Sequence, residues 1–438
     1  MVYTMNREAE FTLDTLQKFI NKHKADAKKL HEKMKLYEGK HAILEQPAKE
    51  AYKPDNRLVV NFAKYIVDTL NGYFIGIPVK TTHDTEAQNG YIEMVEKYND
   101  TDDSNAELSK LCSVYGYAYE LLFIDEAAQV GLTYVTPEEA FIVYDKSIRR
   151  KALYGVRYYI DEDKKIIGSY SDAENIYYFK ESDKGGLIIT GQDPHYFGEV
   201  PLIEYVENEE RQGAFDNVRT LIEEYNKAIS EKANDVDYYA DAYLLVLGAL
   251  LDEDTLRTLR DSRIINMAAG ELDNIKIEFL TKPESDATQE HLIDRLEKLI
   301  FHISMVANIN DENFGSSSGI SLKYKLQSMS NLAAVKERKF AAGMTKRWKL
   351  ISNVPNSKLS GVDWLGISYK FTRNVPANLL EETEIARNLQ GITSEETQLK
   401  SLSIVDNVKT EIARKQKEQE DSVDMSSNAI AAREVANE

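Results

Sequence analysis

Cysteine, proline and long apolar runs are scarce in this chain of 438 residues. The single cysteine, Cys112, excludes an intramolecular disulfide scaffold, and the seven histidines show neither HExxH nor paired CxxC spacing. The longest apolar run, from Ala242 to Leu251, falls short of the ~20 residues that span a bilayer. We therefore expect no transmembrane helix. The N-terminus lacks a charged-then-apolar export pattern, so we also expect the protein to stay where it is made.

The recognisable motifs of catalysis are missing as well. No GxxxxGK[ST] phosphate loop, GxGxxG turn or GxSxG elbow occurs, and nothing singles out one carboxylate pair for acid and base chemistry. We expect no catalytic residues, no cofactor and no metal. With 54 Lys and Arg against 73 Asp and Glu, the net charge is −19, which argues against a protein that coats nucleic acid with a generally basic surface.

The first half of the chain predicts helices followed by an antiparallel meander. Apolar spacings of three and four predict two short helices within residues 6–38, ended by Gly39, and a further helix from Leu58 to Phe74. Short runs rich in Tyr, Val and Ile, separated by turn residues, then predict strands. These runs are Gly131–Val135, Ala140–Tyr144, Tyr154–Ile160, Ile166–Tyr170, Asn175–Phe179 and Gly185–Thr190.

Two long helices bracket a small insert in the second half. An apolar stripe over residues 214–246 predicts one long helix, interrupted only by Lys232 where the pattern expects an apolar residue. Residues 249–285 predict a compact mixed insert with a strand at Ile275–Leu280. The stripe resumes over residues 286–307, so we expect a second helix that packs against the first.

A loop and a basic helix follow. Residues 308–319 concentrate Asn, Asp, Gly and Ser, which favour turns, and predict a flexible loop. The next predicted helix, over about 320–351, carries a net charge of +7 across residues 319–349. That charge would either pair with acids of the fold or of a neighbouring subunit, or contact nucleic acid. A strand at 366–373 is expected to rejoin the meander, followed by helices at 379–390, 394–399 and 405–420.

Three segments in this order resemble the portal proteins of tailed bacteriophages, in the branch of long-tailed phages of Gram-positive bacteria. They are NRLVVNFAKYIVDTLNGYFIGIPV at 56–79, VYGYAYELLFIDE at 114–126 with YVTPEEAFIVYD at 134–145, and NFGSSSGISLKYKLQSM at 313–329. None is a catalytic signature. Their specificity comes from occurring together and in order over most of the chain.

The resemblance implies an α+β architecture with named parts. It assigns N-terminal helices to 1–40, a wing with a mixed α/β fold and an antiparallel sheet to 41–213, and long stem helices to 214–247 and 286–307. A small α/β clip would occupy 248–285, a tunnel loop 308–318 and a tunnel helix 319–353. The wing return strand would follow at 354–375, then helical crown residues 376–422 and a disordered tail at 423–438.

The resemblance also implies a ring of twelve subunits, or thirteen when isolated, at one capsid vertex. Double-stranded DNA would pass through it without sequence specificity during packaging and ejection. The implied partners are the terminase large subunit, a head-tail adaptor, and the major capsid and scaffolding proteins, with no membrane. The protein would occupy the portal vertex of the virion, and the host cytoplasm during assembly. A different ring-forming capsid-associated protein, or a soluble enzyme with an unrecognised cleft in the Tyr-rich region, remains the alternative.

Four groups of residues follow as candidates. Stem residues for oligomerisation are Phe215, Val218, Ile222, Tyr225, Ile229 and Val236. Channel-loop residues facing DNA are Asn310, Asn313, Phe314, Gly315, Ser316, Ser317 and Ser318. Lys323 and Lys325, beside that loop, would contact DNA phosphates, whereas Lys336, Arg338, Lys339, Lys346 and Arg347 further along the helix should act structurally. Clip residues for terminase or adaptor docking are Asp254, Arg257, Arg260, Arg263 and Asp273.

Overall fold

The computed structural model describes residues 2–50, 53–240, 244–247, 276–279, 286–309, 324–375, 379–405 and 407–419. Its mixture of helices and mainly antiparallel sheets confirms the predicted α+β class. The chain divides into two compact units. The larger unit comprises residues up to Met34, Tyr65–Asp216 and the chain from Met305 onward, and the smaller unit comprises Lys35–Lys64 and Asn217–Ser304.

A six-stranded sheet dominates the larger unit, and it confirms five of the six runs predicted to form a meander. The first run, Gly131–Val135, is a strand as predicted but belongs to a separate three-stranded sheet. The antiparallel strands of the six-stranded sheet follow one another in chain order, and β1 (Tyr3–Met5) adds to β5 in parallel. The five meander strands are β5 (Ala140–Asp145), β6 (Ala152–Ile160), β7 (Ile166–Ser171), β8 (Asn175–Glu181) and β9 (Leu187–Pro194).

Helix α1 (Leu13–Tyr37) covers one face of this sheet. Leu16 and Ile20 are fully buried against Phe141, Val156 and other sheet side chains. The two short helices predicted here are one continuous helix, because the Lys- and Ala-rich middle has good helix propensity despite its lack of an apolar stripe. The helix ends as predicted. Gly39 has φ +85°, and the Lys40 N–H donates to the Lys35 carbonyl at 2.8 Å.

The longest helix of the larger unit is α7 (Gln327–Ser352), which packs against β10 (Leu202–Val206). The other elements of this unit are α2 (Phe62–Ile75, which begins in the smaller unit), β2 (Lys80–His83), α3 (Glu86–Tyr98), α4 (Thr101–Tyr115), β3 (Tyr117–Ile124), β4 (Val130–Val135) and β13 (Ile367–Lys370). Strands β10, β3 and β4 form a three-stranded antiparallel sheet. Strand β13 does not rejoin the meander as expected. It pairs with β2, a strand that the apolar pattern did not reveal.

Two helices form most of the described part of the smaller unit. Helix α5 (Arg219–Ala240) packs against α6 (Asp286–Ser304), as the apolar stripes predicted. The prediction of one helix over 214–246 is wrong at both ends. Asp216–Val218 is a 3-10 turn, and Leu244–Leu247 is a strand, β11, paired with β12 (Lys276–Phe279). A short run of Leu and Val cannot distinguish helix from strand by periodicity.

Three helices complete the described chain. They are α8 (Leu379–Leu389), α9 (Glu395–Lys400) and α10 (408–419), close to the predicted positions. Helices α8 and α9 contact each other through Gln398, whose side chain donates to the Ala386 carbonyl at 2.8 Å. Among the described residues, no helix is long and apolar enough to cross a bilayer.

Candidate functional site

Most residues predicted to face DNA or to dock partners lie outside the described residues. This applies to the seven channel-loop residues from Asn310 to Ser318, to the five clip residues from Asp254 to Asp273, and to Lys323. Their roles stay predictions. Of the two lysines predicted to contact phosphates, the structure describes Lys325, which is helical and exposed.

The contact between α5 and α6 explains the lysine that interrupts the apolar stripe. Lys232 of α5 forms an ion pair with Glu290 of α6. Three residues further along α5, Asp235 accepts a hydrogen bond of 3.0 Å from the side chain of Gln289. The gap in the stripe is therefore a polar contact between the two helices that the pattern predicted to pack together.

The predicted oligomerisation residues differ in how much surface they offer. Phe215, Val218, Ile222 and Tyr225 are buried within the chain itself, and Ile229 is half-buried. Val236, about two turns beyond Ile229, is 59% exposed. On α6, Leu292 and Ile303 are also exposed. A second copy of the chain could therefore reach the stripe at Val236 but not at its buried beginning.

A polar ladder holds α5 against an extended segment of the smaller unit. The backbone N–H groups of Asn56, Leu58 and Val60 donate to side-chain oxygens of Asn234 (2.6 Å), Ser230 (2.9 Å) and Asn226 (2.8 Å), respectively. All three of these α5 side chains are buried. The acceptors are four residues apart on the helix, a rise of about 6 Å, and the donors are two residues apart on the extended segment, a rise of about 6.6 Å. The two spacings are nearly equal, so each donor lies opposite one acceptor.

Sequence reasoning missed this ladder, although its signal was present. Asn226, Ser230 and Asn234 recur every four residues beside the apolar stripe, and polar side chains at that spacing share one helix face. What the pattern could not supply was the partner, because residues 56–60 lie far away in the sequence. The apolar spacings also predicted a helix from Leu58, which is wrong at its start, since α2 begins at Phe62 and the residues before it pair with α5.

The basic helix α7 is anchored first by Lys336. Its ammonium lies 2.7 Å from a Glu207 carboxylate oxygen, and the two side chains are 2% and 7% exposed. The ammonium also donates to the Ser109 carbonyl (2.9 Å) and to the Ser113 hydroxyl (2.5 Å). It further lies 5.4 Å from the centre of the Phe74 ring. A buried charge needs such a complete set of partners, and Lys336 has one.

Arg347 is the second buried anchor. Its Nε and Nη2 atoms bind the two carboxylate oxygens of Glu120 at 2.9 and 2.6 Å, and Nη2 also donates to Asn105 at 2.6 Å. The Tyr205 hydroxyl donates to Glu120 at 3.0 Å. Burial alone would lower the pKa of Arg347, but the charge and hydrogen bonds of Glu120 raise it instead. The guanidinium therefore stays charged.

Ion pairs nearer the surface neutralise further basic residues of α7. Lys349 binds Glu199 at 2.6 Å, Lys339 binds Glu209, and the helix's single acid, Glu337, binds Arg373 at 2.5 Å. Lys336, Lys339 and Arg347, which we expect to act structurally, are thus all paired with acids of the fold. Arg338 differs, because it is exposed and has no ion pair to any described residue. Lys346 is half-buried and also lacks one within the described chain.

One carboxyl close to this network is shifted towards its neutral, protonated form. Burial raises the pKa of Glu96, on α3, from 4.5 to about 7, while the charge of Arg347 lowers it and that of Asp102 raises it. Because Arg347 already binds Glu120, its charge does not compensate the desolvation of Glu96. The site is therefore sensitive to protonation near neutral pH.

The comparisons with known proteins agree with the resemblance. The profile of the family described as phage portal protein, SPP1 Gp6-like, matches residues 16–425. The portal protein of Clostridium phage phiCD119 is 26% identical over 398 residues, covering 83% of this chain and 84% of that protein. The portal protein of Bacillus phage SPP1 is 24% identical over 415 residues, covering 86% and 79%. The chain therefore belongs to the SPP1 Gp6-like family of phage portal proteins.

Proposed function

We propose that this chain forms a ring of twelve subunits, or thirteen when isolated, at one capsid vertex of a tailed phage. The ring is the conduit for double-stranded DNA during packaging and ejection. The observation that carries the proposal is the family match over residues 16–425, which spans both units. Because portal proteins are a structural family, we expect no catalysis, and the energy for DNA translocation must come from a separate motor.

The proposed parts follow the sequence-derived boundaries. The wing is 41–213 with its return segment 354–375, the stem 214–247 with 286–307, the clip 248–285, and the crown 376–422. The clip docks the terminase large subunit during packaging and the head-tail adaptor afterwards, while the wing and crown face capsid and scaffolding proteins. Supporting the stem assignment, α5 and α6 pack as a pair with exposed apolar residues left over.

Charge supports the conduit role. Every phosphate bound by a lysine or arginine adds affinity that must be broken as the duplex slides, so a conduit benefits from few available cations. The helix with the largest basic excess has its two buried cations bound to Glu207 and Glu120, and two of its outer ones, Lys339 and Lys349, bound to further acids. We assign non-specific phosphate contact to the start of the helix, at Lys323 and Lys325, and to the loop before it, because the resemblance places that loop in the channel.

Ring formation is tested by Val236→Asp. This exposed stem residue can be changed without disturbing the core, whereas Ile222→Asp would bury a charge within the subunit itself. We expect the variant to fold but to lose rings in negative-stain images and by analytical ultracentrifugation. The matched control is Val362→Asp, another exposed valine, which lies outside the stem and should leave rings intact. Normal rings from Val236→Asp would contradict the stem assignment, and monomers from the unaltered chain would contradict the proposed function.

The conduit role is tested by Lys325→Gln in a packaging assay. We expect normal rings but weaker DNA retention, with the defect largest at low salt and shrinking as salt rises, because phosphate contacts are electrostatic and screened by salt. Arg338→Gln removes the same charge from an exposed position further along the helix and serves as the control. Equal packaging by both variants and the unaltered protein would remove Lys325 from the DNA path.

A further inference from the structure

A small cavity lies between α7, β10 and the loop after β10 in the larger unit. Its volume is about 220 Å³, which is below the range that holds a nucleotide-sized ligand but ample for a single anionic group. The lining includes three cations, Lys339, Lys346 and Arg211, and two acids, Glu204 and Glu209.

Both acids are already bound to cations. Arg211 donates through Nε and Nη2 to the two oxygens of Glu204, at 3.0 and 2.7 Å, and Lys339 binds Glu209. This leaves donor capacity around the cavity at Nη1 of Arg211 and at the second and third protons of Lys339. The cavity therefore offers N–H groups from two separate elements.

Lys346 supplies the strongest unused group. It is half-buried, yet none of its three ammonium protons has a hydrogen-bond or ion-pair partner among the described residues. The other partly buried or buried basic residues of α7 each have a carboxylate partner. The carboxylates of Glu199 and Glu204 interact with this ammonium electrostatically without a hydrogen bond, and burial lowers the pKa of Lys346. A half-buried ammonium without a hydrogen-bond acceptor is costly, which suggests that a ligand supplies the acceptor.

The neighbouring turn adds positive charge. Residues 146–151, reading KSIRRK, connect β5 to β6 and carry four basic side chains and no acid, all exposed. The Asp145 carboxylate fixes this turn by accepting from the Ser147 N–H at 3.1 Å and the Lys151 N–H at 2.9 Å. Arg150 interacts electrostatically with Glu209, and Lys151 with Glu199, so the turn lies beside the cavity.

We propose that this cavity binds a phosphate group, with Lys346 as its principal donor and Lys339 and Arg211 as supporting donors. A tetrahedral phosphate presents acceptor oxygens in several directions, which suits donors that converge from a helix and a loop. The phosphate can come from free inorganic phosphate or from a nucleic-acid backbone. The inference concerns the folded subunit and does not depend on ring formation.

The test measures binding of inorganic phosphate to the full-length protein by calorimetry and phosphorus NMR. We expect Lys346→Met to weaken binding about tenfold or more, because a hydrogen bond to a charged group is lost. Arg338→Met removes the same charge from the exposed side of the same helix and should change binding by about twofold at most. Lys346→Arg should retain most of the affinity. Near-UV circular dichroism confirms that each variant is folded.

The outcomes separate the two phosphate sources. If Lys346→Met weakens binding of a short DNA duplex and inorganic phosphate competes with the duplex, the ligand is a backbone phosphate. If phosphate binding depends on Lys346 but duplex binding does not, the ligand is free phosphate. The proposal is overturned if the unaltered protein binds no phosphate, if Lys346→Met and Arg338→Met behave alike, or if acetate binds as tightly as phosphate.

Discussion

Helices α5 and α7 are both held by buried polar contacts, but of different kinds. Helix α5 uses neutral side chains, Asn226, Ser230 and Asn234, that accept backbone hydrogen bonds from an extended segment. Helix α7 uses two buried ion pairs, Lys336 with Glu207 and Arg347 with Glu120. A neutral ladder loses hydrogen bonds but leaves no buried charge when a member is removed, whereas a broken ion pair leaves a buried charge. The two helices should therefore respond differently to mutation, pH and salt.

The largest expected effect comes from Arg347→Met. Removing the guanidinium leaves Glu120 charged and buried without its cation, which should lower the free energy of unfolding by about 3–5 kcal/mol. Urea unfolding followed by fluorescence of the two tryptophans measures it. Adding Glu120→Gln to the variant should recover part of the loss, because no buried charge then remains unpaired. A loss below about 1 kcal/mol in the single variant would contradict the buried-anchor interpretation.

Asn226→Ala tests the neutral ladder. The Val60 N–H loses its acceptor, so we expect a loss of about 1–3 kcal/mol that changes little with salt. Lys227→Ala, an exposed neighbour on the same helix, is the control and should change stability by about 0.5 kcal/mol at most. If the Asn226→Ala loss varied strongly with salt, the contrast between the two helices would fail.

Glu96→Gln tests the protonation-sensitive carboxyl near α7. The folded-state pKa of about 7 lies above the ordinary 4.5, so the folded protein binds the proton more tightly than the unfolded chain. That stabilisation is complete below the ordinary pKa and is lost as pH rises through 7. At about pH 8 the variant should be more stable than the unaltered protein by about 1–2 kcal/mol, with little difference at about pH 4. Glu93→Gln, exposed on the same helix, should not show this pH profile.

The smallest effect is expected for Lys339→Gln. Its partner Glu209 is highly exposed, so the pair should contribute about 0–1 kcal/mol and less at high salt. Thermal unfolding in low and high salt measures the difference. A loss comparable with that of Arg347→Met would mean that exposure does not separate the outer pairs from the buried anchors of this helix.

Local patterns predicted much of the architecture correctly. The alternation in the Tyr-rich region predicted β5 to β9, and the glycine after α1 predicted its end, because both signals depend on residues close together in the sequence. The strand at 244–247 and the pairing of β13 with β2 were not predicted. Strand pairing depends on the partner strand, and β13 and β2 lie nearly three hundred residues apart in the sequence. Local periodicity cannot predict such a pairing.

The sequence by itself determined the class of protein, through its resemblance to a known family, and the approximate positions of α5, α6 and α7 and the +7 charge of the basic segment, because composition and periodicity are properties of the chain alone. Only the tertiary structure decided which of those charges are already bound. Lys336, Lys339, Arg347 and Lys349 form ion pairs with carboxylates of other elements, whereas Arg338 and Lys346 on the same helix form no ion pair in the described chain. Ion pairing requires two groups within about 4 Å, and that distance is set by how elements pack.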